Sequence, residues 1–131
     1  MQIYANLIEY NNYGLQLSRA ENCLVRDNIF ENNKYGVVLS NNSGSNTIGG
    51  ILSSDKNIIS GHEFDGIYIF GNGTSFNKIK GNYIGLNKEG TAENGNKQNG
   101  IHIVDCASDN IMAGKKMKKE ILFPEMKTVE F

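Results

Sequence analysis

The sequence FNKIKGNYIGLNKEGTAENGNKQNGIHI, residues 76–103, contains three short apolar segments. They are NKI at Asn77, NYI at Asn82 and GIHI at Gly100, and each begins with Asn or Gly. Segments this short, rich in isoleucine and bounded by turn-forming residues, are typical of β-strands rather than helices. The same three kinds of segment recur from Asn6 to Met112.

The segments rotate in a fixed order, and we call them strands A, B and C. Strand C is the Gly-led segment, found as GLQL at Gly14, GVVL at Gly36, GIYI at Gly66 and GIHI at Gly100. Strand A is NCL at Asn22, NTI at Asn46, NKI at Asn77 and NIM at Asn110, and strand B is NLI at Asn6, NIF at Asn28, NII at Asn57 and NYI at Asn82. The pattern predicts 12 strands, ordered B C, then A B C three times, then A.

The spacing of these strands predicts an all-β solenoid. Strand B leads to strand C in 8, 8, 9 and 18 residues, so most gaps are shorter than the dozen residues that a helical crossover needs. A meander of hairpins would reverse equivalent strands in successive three-strand repeats, and like positions could then not stack. A coil of three strands solves both problems. Each strand lies about 4.8 Å from its counterpart in the next coil, in three parallel sheets and about four coils.

Alternation assigns side chains to the core and to the bends. The predicted inward residues are Leu15, Leu17, Val37, Leu39, Ile67, Ile69, Ile101 and Ile103 in strand C, Leu24, Ile48, Ile79 and Met112 in strand A, and Ile8, Phe30, Ile59 and Ile84 in strand B. The tight A-to-B bends need a residue that tolerates positive φ, and the Asn that leads strand B suits that role. The Asn amides should also bond from coil to coil. This predicts a ladder of Asn6, Asn28, Asn57 and Asn82.

Composition excludes several classes of protein. Nineteen Asn and 15 Gly stand beside 39% hydrophobic residues, which is unlike a disordered chain. The net charge of −1 gives no global field for nucleic acid or an anionic membrane. Cys23 and Cys106 share no metal-binding or redox spacing, and we expect them to be unpaired. We also expect no signal peptide in residues 1–12 and no membrane-inserted segment.

The phrases NTIGG, NIISG, DGIYIFGNGTSFNKIKGNYIG and GTAENGNKQNGIHI resemble right-handed parallel β-helix repeats. They are most similar to the Asn/Gly-rich repeats of large bacterial secreted or surface proteins, in the fold class that includes pectate lyases, polygalacturonases and alginate epimerases. The resemblance covers roughly residues 3–114. It implies a single-stranded right-handed β-helix and an extracellular or cell-surface location.

The rhythm ends near residue 114, so we divide the chain into β-helix repeats (1–114) and a non-repeat tail or cap (115–131). KKMKKEIL in the tail predicts a short helix that stops before Pro124. Solenoids need caps because an open end exposes core and strand edges. A short solenoid is therefore expected to be a fragment of a longer product, or a chain whose open end meets a partner.

Candidate functional residues lie on the outward face and in the B–C loops. The outward residues predicted are Gln16, Val38, Tyr68 and His102 on strand C and Cys23, Thr47, Lys78 and Ile111 on strand A, and neither set is a row of carboxylates. The loop before Gly66 holds the candidate catalytic residues His62, Glu63 and Asp65, with His62 as base and Asp65 as its orienting group, or simply as a polar turn. Tyr68 and His102, flanked by Glu89 and Glu93 of the long loop, are candidate carbohydrate-binding residues.

These observations leave three functional hypotheses. The first is a non-catalytic β-helix scaffold of a secreted or surface protein that contacts polysaccharide. The second is part of a polysaccharide lyase, hydrolase or epimerase, and the third is an end-to-end assembly module. We expect no metal and no cofactor, with calcium entering only under the lyase hypothesis.

Overall fold

A computed structural model describes residues 1–113 and 129–130 of the chain. It contains three stacked sheets, and the strands contribute to them in strict rotation. Sheet A consists of β1 (Gln2–Tyr4), β4 (Leu24–Arg26), β7 (Thr47–Gly49), β10 (Lys78–Lys80) and β13 (Ile111–Ala113). Sheet B consists of β2 (Leu7–Glu9), β5 (Ile29–Glu31), β8 (Ile58–Ser60), β11 (Tyr83–Ile84) and β14 (Val129–Glu130). Sheet C consists of β3 (Tyr13–Ser18), β6 (Tyr35–Ser40), β9 (Ile67–Phe70) and β12 (Ile101–Val104).

Each strand pairs in parallel with its counterpart one coil away, as the solenoid prediction requires. In sheet C, Val37 pairs with Ile67, and Ile67 pairs with Ile101. One short 3₁₀-helix, Ser53–Asp55, lies in the bend between β7 and β8. Strand β14 differs because it runs antiparallel to β11. The helix predicted within residues 115–123 lies outside the described residues.

The core is a continuous column of aliphatic side chains, and most of the predicted inward residues are in it. Its fully buried members are Val25, Phe30, Val37, Leu39, Ile48, Ile59, Ile67, Ile69, Ile79, Ile84 and Ile101. Two assignments in the first strand A were wrong. Val25, not Leu24, pairs with Ile48 and points inward, and Cys23 is buried rather than outward.

The reason for this shift of one residue is that Cys23 occupies an Asn position. The Cys23 backbone N–H donates to Asn46 Oδ1 at 3.0 Å, as each ladder residue does to the next coil. Cys23 and Cys106 are both free thiols. The prediction also omitted β1, which pairs with β4 through Ile3 and Val25.

Asparagine ladders hold the coils at their corners. In the first ladder Asn6, Asn28 and Asn57 each donate Nδ2–H to Oδ1 of the Asn one coil on, at 3.0, 3.1 and 2.9 Å, ending on Asn82. A second ladder, at the C-to-A corner, runs through Asn46, Asn77 and Asn110 at 2.9 Å per step. The amides thus satisfy buried polar groups that a narrow tube cannot expose to water.

The bend conformation falls one residue earlier than we predicted. Positive φ belongs to the residue before the ladder Asn, as in Asp27 (φ 56°) before Asn28 and Gly81 (φ 70°) before Asn82. The ladder Asn is therefore selected for its amide, and its neighbour takes the left-handed turn. Asn57 is an exception, because the preceding Lys56 has φ −66°. At the other positions of this ladder the preceding residue must tolerate the left-handed turn, and Gly does so without strain.

Replacing Gly81 by alanine should destabilise the protein by about 3 kcal/mol more than replacing Gly71. Both residues have positive φ, so both substitutions strain the backbone. A Cβ on Gly81, however, would lie 2.0 Å from the Gly50 carbonyl oxygen, whereas a Cβ on Gly71 meets only Thr74 Oγ1 at 3.8 Å. Urea unfolding of the two variants measures the difference, and equal losses would contradict this packing.

Candidate functional site

Aromatic rings cover the outer face of sheet C. Strand register places Gln16, Val38, Tyr68 and His102 outward in one row. Rings from the first residues of β3 and β6, from the loop before β9 and from the last residue of β9 join that row. We call the resulting set the sheet C stripe, and it consists of Tyr13, Tyr35, Phe64, Tyr68, Phe70 and His102.

The rings of the stripe follow one another along the solenoid axis. Ring centroids lie 5.8 Å apart for Tyr13 and Tyr35, 5.5 Å for Tyr35 and Tyr68, and 5.2 Å for Tyr68 and His102. Phe70 adds a contact of 4.7 Å to Tyr68. Tyr13 is in register with Tyr35, and Tyr68 is in register with His102, at about 4.8 Å per coil. Tyr35 reaches Tyr68 diagonally, since the partner of Tyr68 in the register is Val38. The result is an aromatic surface that spans the coils of sheet C.

The two central phenols of the stripe are held in their protonated form. Burial, the Asp65 carboxylate and Tyr13 raise the pKa of Tyr35. Burial together with Asp105, Tyr35 and Asp65 raises the pKa of Tyr68. Both hydroxyls therefore stay neutral at physiological pH and can donate and accept hydrogen bonds.

A histidine and a carboxylate meet at one end of the stripe. His102 Nδ1 lies 3.1 Å from Asp65 Oδ2, and the Asp65 side chain is only 3% exposed. The other oxygen, Asp65 Oδ1, accepts the backbone N–H of Asn99 at 3.1 Å and its Nδ2–H at 2.6 Å. The carboxylate is therefore fixed, and it orients the imidazole of His102, whose side chain is 32% exposed.

Of the candidate catalytic residues, His62 does not pair with Asp65. His62 is completely buried and takes an Asn position in a third ladder, at the B-to-C corner. The His62 Nδ1 accepts the backbone N–H of Asn33 at 3.1 Å, and the backbone N–H of His62 donates to Asn96 Oδ1 at 3.1 Å. Glu63 is exposed beside it. The spacing from Asn57 to His62 equals that from Asn28 to Asn33, which is the signal that marks His62 as a ladder residue.

The environment of His62 disfavours its charged form. Burial lowers the pKa of His62 to about 4. The Asn33 amide needs the lone pair on Nδ1, so the ring carries its proton on Nε2. Among the described residues this buried Nε2 has no hydrogen-bond partner. The Phe30 backbone favours the charged ring, but burial is the larger effect and the pKa of His62 falls. His62 is consequently a neutral structural residue.

The long B–C loop lies on a different face from the stripe. Residues 85–93 leave the coil as a small hairpin, closed by antiparallel bridging of Leu86 with Glu93. Gly90 in this hairpin approaches the Tyr83 ring on sheet B, where Lys56 Nζ also lies 3.7 Å from the ring centroid. Glu89 and Glu93 are exposed there, and the structure does not group them with Tyr68 and His102 on sheet C.

An open groove of about 370 Å³ runs beside the stripe along the B-to-C corner. Its walls include the Tyr10 ring, the Asn12 amide and the charged side chains of Lys34, Glu63 and Lys97. Sequence reasoning missed the two lysines because they come from non-adjacent coils. Together the groove and stripe offer aromatic faces, amides and charges on one side of the solenoid.

Neither the groove nor the stripe forms a metal centre. Among the described residues, no group of three or more His, Cys, Asp or Glu side chains is placed to hold a metal ion. In the same part of the chain, no helix has the length and hydropathy of a membrane span. The stripe and the groove offer aromatic stacking, amide hydrogen bonding and the oriented imidazole of His102.

Three sheets, to each of which every coil contributes one strand, define a parallel β-helix solenoid. Residues 1–84 match the family model described as right handed beta helix region. That match covers more than half of the chain, so the protein belongs to this family. Neither a curated protein nor a solved structure gives a match.

Proposed function

We propose that this β-helix is a scaffold that binds polysaccharide along the sheet C stripe. The observation that carries this proposal is the run of rings from Tyr13 through Tyr35 and Tyr68 to His102, at 5.2–5.8 Å per step. An aromatic ring packs against the apolar C–H face of a sugar, and polar neighbours bond its hydroxyls. A platform that repeats along one axis suits a ligand that also repeats, which is what a polysaccharide is.

The arrangement of polar groups supports the same ligand class. Gln16 lies outward in the row of Tyr68, and the amides of the groove follow the stripe at its side. These groups can bond hydroxyls without a requirement for charge. We further propose an extracellular or cell-surface location, because the repeats resemble those of secreted and surface proteins. Antibody labelling of intact cells tests the location, and labelling only after lysis would contradict it.

Replacing Tyr68 by alanine should lower the affinity for a bound oligosaccharide about fivefold, since one aromatic contact contributes about 1 kcal/mol. A glycan array of neutral glucans and galactans, galacturonate and alginate oligomers identifies the ligand, and calorimetry measures its affinity. Tyr4→Ala is the matched control, because Tyr4 is a 55% exposed tyrosine on sheet A. Tyr4→Ala should stay within about twofold of the parent. Equal affinities for the parent and Tyr68→Ala would remove the proposed site.

A further inference from the structure

We propose that His102, oriented by Asp65, is a hydrogen-bond acceptor that selects an uncharged, hydroxyl-bearing sugar on the sheet C stripe. This inference rests on the proposed function, and it assigns the ligand's chemical class and the residue that recognises it.

The fixed carboxylate sets the tautomer of His102. Asp65 Oδ1 takes two donors from Asn99, and Oδ2 lies 3.1 Å from His102 Nδ1. An ionised carboxylate can only accept, so Nδ1 must carry the proton. A ring whose proton is on Nδ1 presents a lone pair at Nε2. A sugar hydroxyl that stacks against Tyr68 can donate to this atom, since the Tyr68 and His102 rings are 5.2 Å apart.

The charge around the site disfavours an acidic ligand. Asp65 accepts from His102, and both Asp65 and Asp105 act electrostatically on Tyr68. A carboxylated or sulfated sugar would meet these negative charges, whereas a neutral sugar would not. The titratable groups around His102 are thus Asp65 from the loop before β9, Tyr68 on β9 and Asp105 after β12.

The decisive variant is Asp65→Asn, which keeps the size of the side chain. Its carbonyl oxygen can still accept from Asn99, while its amide would donate to His102 Nδ1. The ring would stay in place with its proton moved to Nε2, and the acceptor would be lost. Long-range ¹H–¹⁵N correlation spectra report which nitrogen is protonated, with or without a ligand.

We expect the Nδ1–H tautomer in the parent and the Nε2–H tautomer in Asp65→Asn. The affinity for the neutral oligosaccharide found on the array should fall about tenfold in this variant at pH 8. Because Asp65 is buried, His102→Ala provides a second variant, and it should lose affinity to the same extent.

The outcomes separate this inference from the proposed function. If Tyr68→Ala loses affinity while Asp65→Asn and His102→Ala retain it, the stripe stands and the role of His102 falls. An Nε2–H tautomer in the parent, or tighter binding of galacturonate than of neutral oligomers, would also overturn the inference. If the parent bound no glycan, the proposed function and this inference would both be wrong.

Discussion

Replacing Asn57 by alanine should lower the free energy of unfolding by about 4 kcal/mol, a large share of the total for a domain of this size. Asn57 is completely buried in the first ladder. Its Oδ1 accepts the backbone N–H and the Nδ2–H of Asn28, and its Nδ2 donates to Asn82 Oδ1 and to the Val25 carbonyl. Alanine removes these four bonds and leaves the Asn28 N–H buried without an acceptor. Urea unfolding at pH 7 measures the loss.

Asn6→Ala is the matched control, because Asn6 stands at the exposed end of the same ladder. Its Nδ2 donates to Asn28 Oδ1 and to the Tyr4 carbonyl, where water can replace it. The loss should stay below about 1 kcal/mol. If Asn6→Ala cost as much as Asn57→Ala, the effect would come from the bend and not from the buried amide.

Between pH 6.5 and pH 4 the fold should lose about 3 kcal/mol of stability through His62. The folded state lowers the pKa of His62 from 6.5 to about 4, chiefly by burial. Above pH 6.5 the ring is neutral in both states, and its contribution does not change with pH. As the pH falls below 6.5, His62 is protonated in the unfolded chain but stays neutral in the folded chain. Stability therefore decreases until the pH reaches the folded pKa.

His62→Asn isolates this effect from the other acidic groups. Asn33 and Asn96 occupy the same ladder position on the two adjoining coils, so the substitution would continue a ladder that His62 interrupts. At pH 7 the variant should be at least as stable as the parent, because Nε2–H no longer lies buried without a partner. At pH 4 it should be more stable by about 3 kcal/mol. Stability curves that run parallel for the two proteins from pH 7 to pH 4 would contradict the assignment.

The sequence predicts the fold well because a solenoid repeats one local rule. Gly before strand C and Asn before strand B mark every coil, and alternation then assigns Phe30 and Ile84 to the core. The same rule misleads where a coil departs from it. Cys23 occupies a ladder position that is Asn in the other coils. Aligning the neighbouring Asn22 with the ladder therefore predicts Leu24 as the inward residue, whereas the inward residue is Val25.

The site was harder to predict because it depends on register between coils. Asp65 and His102 are 37 residues apart, whereas sequence proximity predicts a pair between Asp65 and His62, three residues away. Only the stacking of Gly66 on Gly100 brings Asp65 beside Asn99 and within reach of His102. Asp65 precedes β9, and His102 lies within β12 of the next coil. Their contact cannot be predicted without knowing how these two strands are aligned.

The hairpin of residues 85–93 shows how such a scaffold diversifies. Ile84 pairs with Ile59 before the excursion, and Ile101 pairs with Ile67 after it. The chain rejoins the coil at Asn94, whose Nδ2 donates to Ser60 Oγ. The hairpin therefore leaves the pairing of the strands before and after it unchanged. Insertions and substitutions can therefore change the surface at this corner without changing the packing of the core. The same independence makes the corner a natural graft point for a foreign peptide, displayed on a support that keeps its own geometry.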